Sequence, residues 1–304
     1  MVYEKLNFSH RDLLHERLKK ITIPLSEYSF PNLYLFREAH AYEVLFDHEI
    51  FIKGVSYDGY TYLMPTVPLM DMNGAYVKEM MAMVNFLFPI PEQWLSFFSS
   101  DEYEFTSKRG DMDYIYTVEK MRTYKGRNLH QKRNLLRRFT SAYRHEALPL
   151  TSDRLKHAQF ILDEWQTEIG HDHRQTDYAS CREALKMYDE LVLCGGIYYA
   201  ESEPAGFILG EEVSEDTFAL HFAKARRKFK GIYQYMFNTF AGILPPKYRF
   251  LNLEQDLDKE ALRIAKSSYL PDSMLKKVRV GLKKHGVWHQ SSKTDRGNRH
   301  SETH

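Results

Sequence analysis

Three groups of side chains in this 304-residue sequence have types and spacing suited to chemistry. The first is a cationic run, Lys224, Arg226, Arg227, Lys228 and Lys230, followed by Gly231 and Tyr233. Five cations in seven residues attract phosphate, and glycine lets a backbone approach it closely. Tyr233 and Tyr235 offer ring faces for stacking on a nucleobase. The second group is Asn252, Glu254, Gln255 and Asp256, with Lys266 and Tyr269 a short way on. Amine attack on an ester or thioester needs a proton removed, which a carboxylate can do, and donors near the developing oxyanion. Glu254 reads as that carboxylate, and Tyr269, a second catalytic candidate, and Lys266 can each serve as acid or anion partner. Asp258 suits a helix cap, and Asp256 suits either a cap or an acceptor contact. The third group lies between Lys120 and Phe139, which hold eight Lys/Arg, one His and no acid. Leu129, Leu136, Phe139 and Tyr143 recur there at helical spacing and so pack inward, while His130, Arg133 and Arg137 fall on another side. An exposed turn and a solvated helix face are the competing readings of the two basic runs.

These groups need elements to position them. Ser9 can cap a helix to about Lys20, and a short helix covers Asn32–Arg37. Three strands follow at Ala41–Phe46, Ile50–Ser56 and Thr61–Val67, the last two joined by a hairpin turn at Tyr57–Tyr60. A helix is expected over Ala75–Phe88, ended by Pro89 and Pro91, then a short one over Trp94–Phe98. Strands at Glu102–Thr106 and Tyr114–Val118 lead into the basic helix, which runs to about Arg144. The second half repeats the order. A helix runs from Asp153 to Ile169, and another spans Tyr178–Leu193, stopped by Gly195-Gly196. Strands at Ile197–Ala200, Ala205–Glu211 and Thr217–Ala223 follow, then a helix from Gly231 to Phe240. A strand at Phe250–Leu253, a helix at Asp258–Lys266 and a strand at Lys276–Leu282 close it. Helix–helix–three strands–helix–strand thus occurs twice.

The stretch Asp113–Phe139 (DYIYTVEKMRTYKGRNLHQKRNLLRRF), with Phe250–Pro271 (FLNLEQDLDKEALRIAKSSYLP) and Tyr28–Arg37 (YSFPNLYLFR), resembles the C-terminal domain of phosphatidylglycerol lysyltransferases. The likeness spreads over most of residues 5–285. It implies an α+β fold of two tandem GNAT-like (acyl-CoA N-acyltransferase) domains, each a mixed, mostly antiparallel sheet flanked by helices. Residues 1–145 would form the first, ending in the basic helix and lacking a phosphate loop, since Pro65–Gly74 holds no cation. Residues 146–289 would form the second and catalytic half, and 290–304 a disordered polar tail. In a GNAT-type half the third strand feeds a loop and a helix start that hold the donor's pyrophosphate. That assigns Lys224, Arg226, Arg227, Lys228, Lys230, Gly231 and Tyr233 to the donor's phosphates. The usual loop has two spaced glycines; this one has Gly231 and then Ile232-Tyr233, which leaves room for a larger donor. The resemblance implies an acyltransferase with aminoacyl-tRNA or acyl-CoA as donor co-substrate. The acceptor would be an amine or hydroxyl on a small molecule, peptide or lipid headgroup, and, since the equivalent strand in this fold splays to open the acceptor side, Asn252, Asp256 and Lys266 would be acceptor-binding. His130, Arg133 and Arg137 would then contact tRNA. The alternatives are an acetyl-CoA-dependent N-acetyltransferase and a non-enzymatic pseudo-transferase that binds RNA or a phosphometabolite.

Composition narrows the classes. Lys and Arg number 42 against 41 Asp and Glu, so the chain is no polycation and its positive charge is local. With 43% apolar residues, 21 Tyr and 19 Phe, it can bury a large core. Cys181 and Cys194 fit no metal motif and read as reduced thiols of a cytoplasmic protein, Cys194 at a helix end. His171-Asp172-His173 reads as a solvated loop, so no metal is expected. Walker, dinucleotide and Gly-x-Ser-x-Gly fingerprints are missing. The N-terminus has no apolar targeting core, and Met80–Phe88 is too short to span a bilayer, so no integral membrane segment is expected.

Overall fold

A computed structural model describes residues 1–283. The expected polar tail at 290–304 lies outside the described residues, as do 284–289. In chain order, the first half holds β1 (Val2–Lys5), α1 (Arg11–Leu18), α2 (Phe30–Phe36), β2 (Glu43–Phe46), β3 (Ile50–Val55), β4 (Thr61–Pro65), α3 (Gly74–Met81), β5 (Phe86–Pro91), β6 (Tyr103–Thr106), β7 (Asp113–Thr117), α4 (Val118–Thr123) and α5 (His130–Ala142). The second half holds β8 (His145–Pro149), α6 (Leu155–Ile169), α7 (Tyr178–Lys186), β9 (Cys194–Ala200), β10 (Glu203–Ser214), β11 (Thr217–Ala225), α8 (Ile232–Ile243), β12 (Phe250–Asn252), α9 (Glu260–Ser267), β13 (Ser273–Leu275) and β14 (Lys277–Leu282).

The strands form two seven-stranded sheets, ordered β1-β2-β3-β4-β5-β14-β6 and β8-β9-β10-β11-β12-β7-β13. Read in those directions the pairings are the same. Four strands run antiparallel, the fifth joins in parallel, and two more return antiparallel. Helices flank both sheets, which is the tandem GNAT-like α+β arrangement. The sixth position in each sheet comes from the other half: β14 lies between β5 and β6, and β7 between β12 and β13. The expected boundary near 145 falls between β7 and β8, yet each half gives its last strand away.

The exchanged strands carry the buried charges that join the halves. Lys277 Nζ on β14 lies 2.6 Å from Asp113 on β7 and 2.6 Å from Glu27. Arg279 forks onto Asp111, with both contacts at 2.7 Å, and also reaches Asp58. Both cations are essentially without solvent exposure, and such charges persist in a core only when paired and hydrogen-bonded. One apolar core runs from the first sheet through α2 to α6 and α7, and a second lies under α8. The halves therefore share a core rather than touch across a wet interface.

Three expectations change. The helix expected over Ala75–Phe88 stops at Met81, and Phe86–Pro91 is the central strand β5. Every residue of β5 is buried, and a strand buried on both faces reads as the same unbroken apolar run as a buried helix. Cys194 begins β9 instead of ending a helix, because α7 stops at Lys186. The first helical turn is capped by Asn7, whose side chain accepts from the Ser9 N–H, so Ser9 is not the cap.

Candidate functional site

β11 and β12 pair in parallel only from Thr217↔Phe250 to Ala219↔Asn252 and then part. His221 lies two residues beyond the last pair on one strand, and Glu254 two beyond it on the other. They bond across the opening, with His221 Nδ1 2.7 Å from Glu254 Oε1. His221 is the extra residue of a β-bulge: Leu209 pairs with Phe222 and Gly210 with Leu220. The bulge puts His221 and Phe222 on the side of α2, where Phe222 meets Phe36. His221 Nε2 lies 3.0 Å from Glu211 on β10. Burial opposes a charge on the ring, but Glu254 and Glu211 outweigh it and raise the imidazolium to about 10.

The first half completes this group. Asn32 of α2 donates its amide to Glu254 Oε1 at 2.8 Å, and Ser29, which caps α2, donates its hydroxyl to Glu211. Glu254 has φ +56, a left-handed backbone unusual for its type. Asn252 holds it there by accepting the Glu254 N–H at 2.7 Å. Both donors use Oε1, so Oε2 is free of hydrogen bonds among the described residues.

Lys266 on α9 reaches the residue next to Glu254. Its Nζ donates to the Gln255 carbonyl at 2.5 Å, a neutral partner. Burial pulls this ammonium down to about 8, against the upward pull of Glu254, Asp113 and Asp256. A half-buried amine without a direct counter-ion, near a carboxylate with one open oxygen, can move protons near neutral pH.

The other expected acceptor contacts are structural. Asn252 is fully buried, donating to Asp113 at 3.0 Å and to the Pro24 carbonyl at 3.0 Å. Asp256 is fully buried too, gripped by Arg263 at 2.8 and 3.0 Å and by the Tyr114 hydroxyl at 2.7 Å. It also accepts the Asp258 N–H, which closes a turn ahead of α9; the helix cap is Lys259, without a side-chain bond, so the expected capping by Asp256 or Asp258 is not found. Tyr269 does not reach Glu254. Its hydroxyl accepts from Gln234 at 2.9 Å, its ring packs between Tyr124 and Phe237, and burial pushes its phenol well above the usual range. Beside the Lys277 cluster, a cavity lined by Glu27, Tyr57, Asp111 and Gln255 holds about 10 Å³, room for a single water.

The cationic run is largely spoken for. Lys224 belongs to β11, not to the loop; its ammonium sits 3.7 Å over Trp165 and bonds Asp177 at 2.6 and 2.7 Å. Arg226 is buried between Glu203 at 2.8 Å and Glu164 at 3.3 Å, and Lys228 joins Glu203 at 2.5 Å. The side chains of Arg227 and Lys230 are exposed. Gly231, with φ +94, is demanded by packing rather than by phosphate: a Cβ there would sit 2.3 Å from the Leu135 carbonyl oxygen of α5. Tyr233 is half-buried, its phenol raised to about 12 by burial. His171 and His173 line an open hollow of about 400 Å³ with Asp163 and Tyr178, and no metal-competent cluster occurs among the described residues.

Comparison with known proteins bears on this geometry. The family described as "Phosphatidylglycerol lysyltransferase, C-terminal" matches residues 20–280. The chain belongs to that lysyltransferase C-terminal family. A protein of unknown function from Bacteroides thetaiotaomicron VPI-5482 is 25% identical, covering 92% of this chain and 99% of its own, with TM-score 0.78. L-PGS from Bacillus licheniformis superposes with TM-score 0.61 at 14% identity, covering 94% and 95%. The C-terminal domain of a putative lysylphosphatidylglycerol synthetase from Agrobacterium fabrum does so at 0.60 and 12%, covering 89% and 92%. At those identities the last two likenesses show the fold alone. Comparison with curated proteins returns no match. No helix among the described residues is long and apolar enough to cross a membrane.

In this family member the basic helix α5 packs against α8, as its apolar spacing requires. Arg133 is turned back onto the Tyr124 and Gly126 carbonyls, so it caps the end of α4. His130 and Arg137 stay exposed, His130 bonded to the Arg127 carbonyl at 2.9 Å. Lys132, not singled out in the sequence, lies 3.8 Å over the Tyr269 ring and donates to Ser268 at 2.7 Å; burial lowers it to about 8. Sequence reasoning also missed His221, Glu211, Asn32 and Ser29. The one available signal was a lone histidine within the apolar strand TFALHFA.

Proposed function

We propose that this chain is an acyltransferase that moves an aminoacyl group from aminoacyl-tRNA to an amine or hydroxyl acceptor. The observation that carries the reading is Glu254, with Oε2 open, at the parting of β11 and β12, with the lowered ammonium of Lys266 bonded to the next residue's carbonyl and within its electrostatic reach. In the proposed reaction the acceptor's nitrogen or oxygen bonds to the acyl carbon, and its proton passes to Glu254. The ester bond to the tRNA 3′ oxygen breaks, and that oxygen takes a proton from Lys266. Family membership and the GNAT-like fold support acyl transfer broadly. The exposed basic side chains His130, Arg137, Arg227 and Lys230 suit the donor's phosphates.

Single-turnover transfer from labelled aminoacyl-tRNA, run beside labelled acyl-CoA over a panel of amine and hydroxyl acceptors, tests this. Transfer from aminoacyl-tRNA alone is expected, and Lys266→Met should lower its rate at least about a hundredfold. Transfer from acyl-CoA alone, with thermal stabilisation by CoA and none by tRNA, would instead establish the acetyl-CoA reading.

A further inference from the structure

We propose that His221 is a positioning residue, clamped between Glu211 and Glu254 so that the Glu254 carboxylate is fixed across the opening between β11 and β12 with Oε2 presented to substrate. The inference rests on Glu254 being the proton acceptor proposed above. Four features support it. The bulge in β11 serves to turn this ring onto the face where Glu254 arrives, because regular alternation would not put both His221 and Phe222 there. Both ring nitrogens are engaged by carboxylates, at 2.7 and 3.0 Å, so the ring is held at two points and cannot swing. Glu254 has a left-handed backbone, which persists only where neighbours over-determine it; Asn252 takes its N–H while His221 and Asn32 take its Oε1. Finally, Ser29 and Asn32 stand at one helix start and tie Glu211 and Glu254 to the first half.

The charged groups around the clamp fit this role. Glu211 and Glu254 share one cationic ring, and of the carboxylates acting on Lys266, Glu254 most strongly favours its ammonium charge. Asp113 and Lys277 are already paired with each other at 2.6 Å. His221 itself does not exchange protons with substrate, because both nitrogens are spent on carboxylates.

The test compares His221→Leu, His221→Gln and Asn32→Ala in steady-state transfer, with thermal unfolding as a control for folding. Glutamine can still donate to Glu254, whereas leucine cannot. We expect kcat to fall about a hundredfold in His221→Leu, as a misplacement near 1 Å allows. KM should stay within about threefold. His221→Gln should recover at least part of the loss. An unchanged kcat, or a loss confined to KM, overturns the proposal. Should His221→Leu fail to fold, His221→Gln and Asn32→Ala carry the test with intermediate losses of kcat. Should the wild-type protein transfer no acyl group, the functional reading fails and crystal structures of His221→Gln and Asn32→Ala decide the clamp. Displacement of the Glu254 carboxylate by about 1 Å or more supports it, and an unmoved carboxylate overturns it.

Discussion

His221 shows how far a neighbourhood can move a single group. Its imidazolium is raised to about 10 from an ordinary 6.5, so the folded protein holds that proton more tightly than the unfolded chain does. The sign follows: its stabilising contribution is full below about pH 6.5 and is lost as pH rises through about 10. Histidine ring nitrogen shifts in NMR should therefore report a doubly protonated ring at pH 8. Wild type should lose its stability advantage over His221→Gln between pH 7 and 10 in urea melts. The variant comparison is needed because Lys266 and Lys132, both lowered to about 8, act in the opposite sense over that range. Those two amines should also react ahead of ordinary exposed lysines with an amine-directed reagent near pH 8, read by peptide mass spectrometry. Glu254 was legible in the sequence because an acid ending a strand before a helix is a local pattern. Its partners were not, because Asn32 and Glu254 are 222 residues apart.

At the scale of elements, charge could be counted from the sequence, but its partners could not be named. The run Lys224–Lys230 reads as a phosphate loop until α6, α7 and β10 bring Glu164, Asp177 and Glu203 against it. Gly231 is required for a different reason than its place in the run suggests: α5 crosses directly over it. Gly231→Ala should destabilise the protein by about 1–3 kcal/mol in denaturant melts, from the strained φ and the clash with the Leu135 carbonyl. A cost below a few tenths of a kcal/mol would mean that α5 is not seated on α8 as described. The strand β5 was hidden for a related reason. Burial on both faces removes the alternation by which a strand is recognised.

For the whole molecule, the reciprocal loan of β7 and β14 sets the behaviour. Each sheet has a strand from the other half inside it, so neither half can close its own core. Residues 1–144 and 145–283 expressed separately should lack cooperative unfolding, and co-expressed they should copurify as one folded particle. A half that melts cooperatively by itself would contradict the exchange. Lys277→Met leaves Asp113 and Glu27 buried without their cation and should cost about 3–5 kcal/mol.

The sequence alone determined what short-range physics can encode: helix faces, hairpin turns, the doubled order of elements, a local positive charge and the family. Each helix face, turn and charge run depends on residues within a few turns of one another, and the order and the family are read from the succession of such local patterns. The tertiary structure decided which charges are neutralised, which strands are exchanged and which groups surround Glu254. Those outcomes depend on pairings well beyond one element, from Arg226–Glu203 and Lys224–Asp177 within the second half to Asn32–Glu254 and Glu27–Lys277, which close only when both halves fold together.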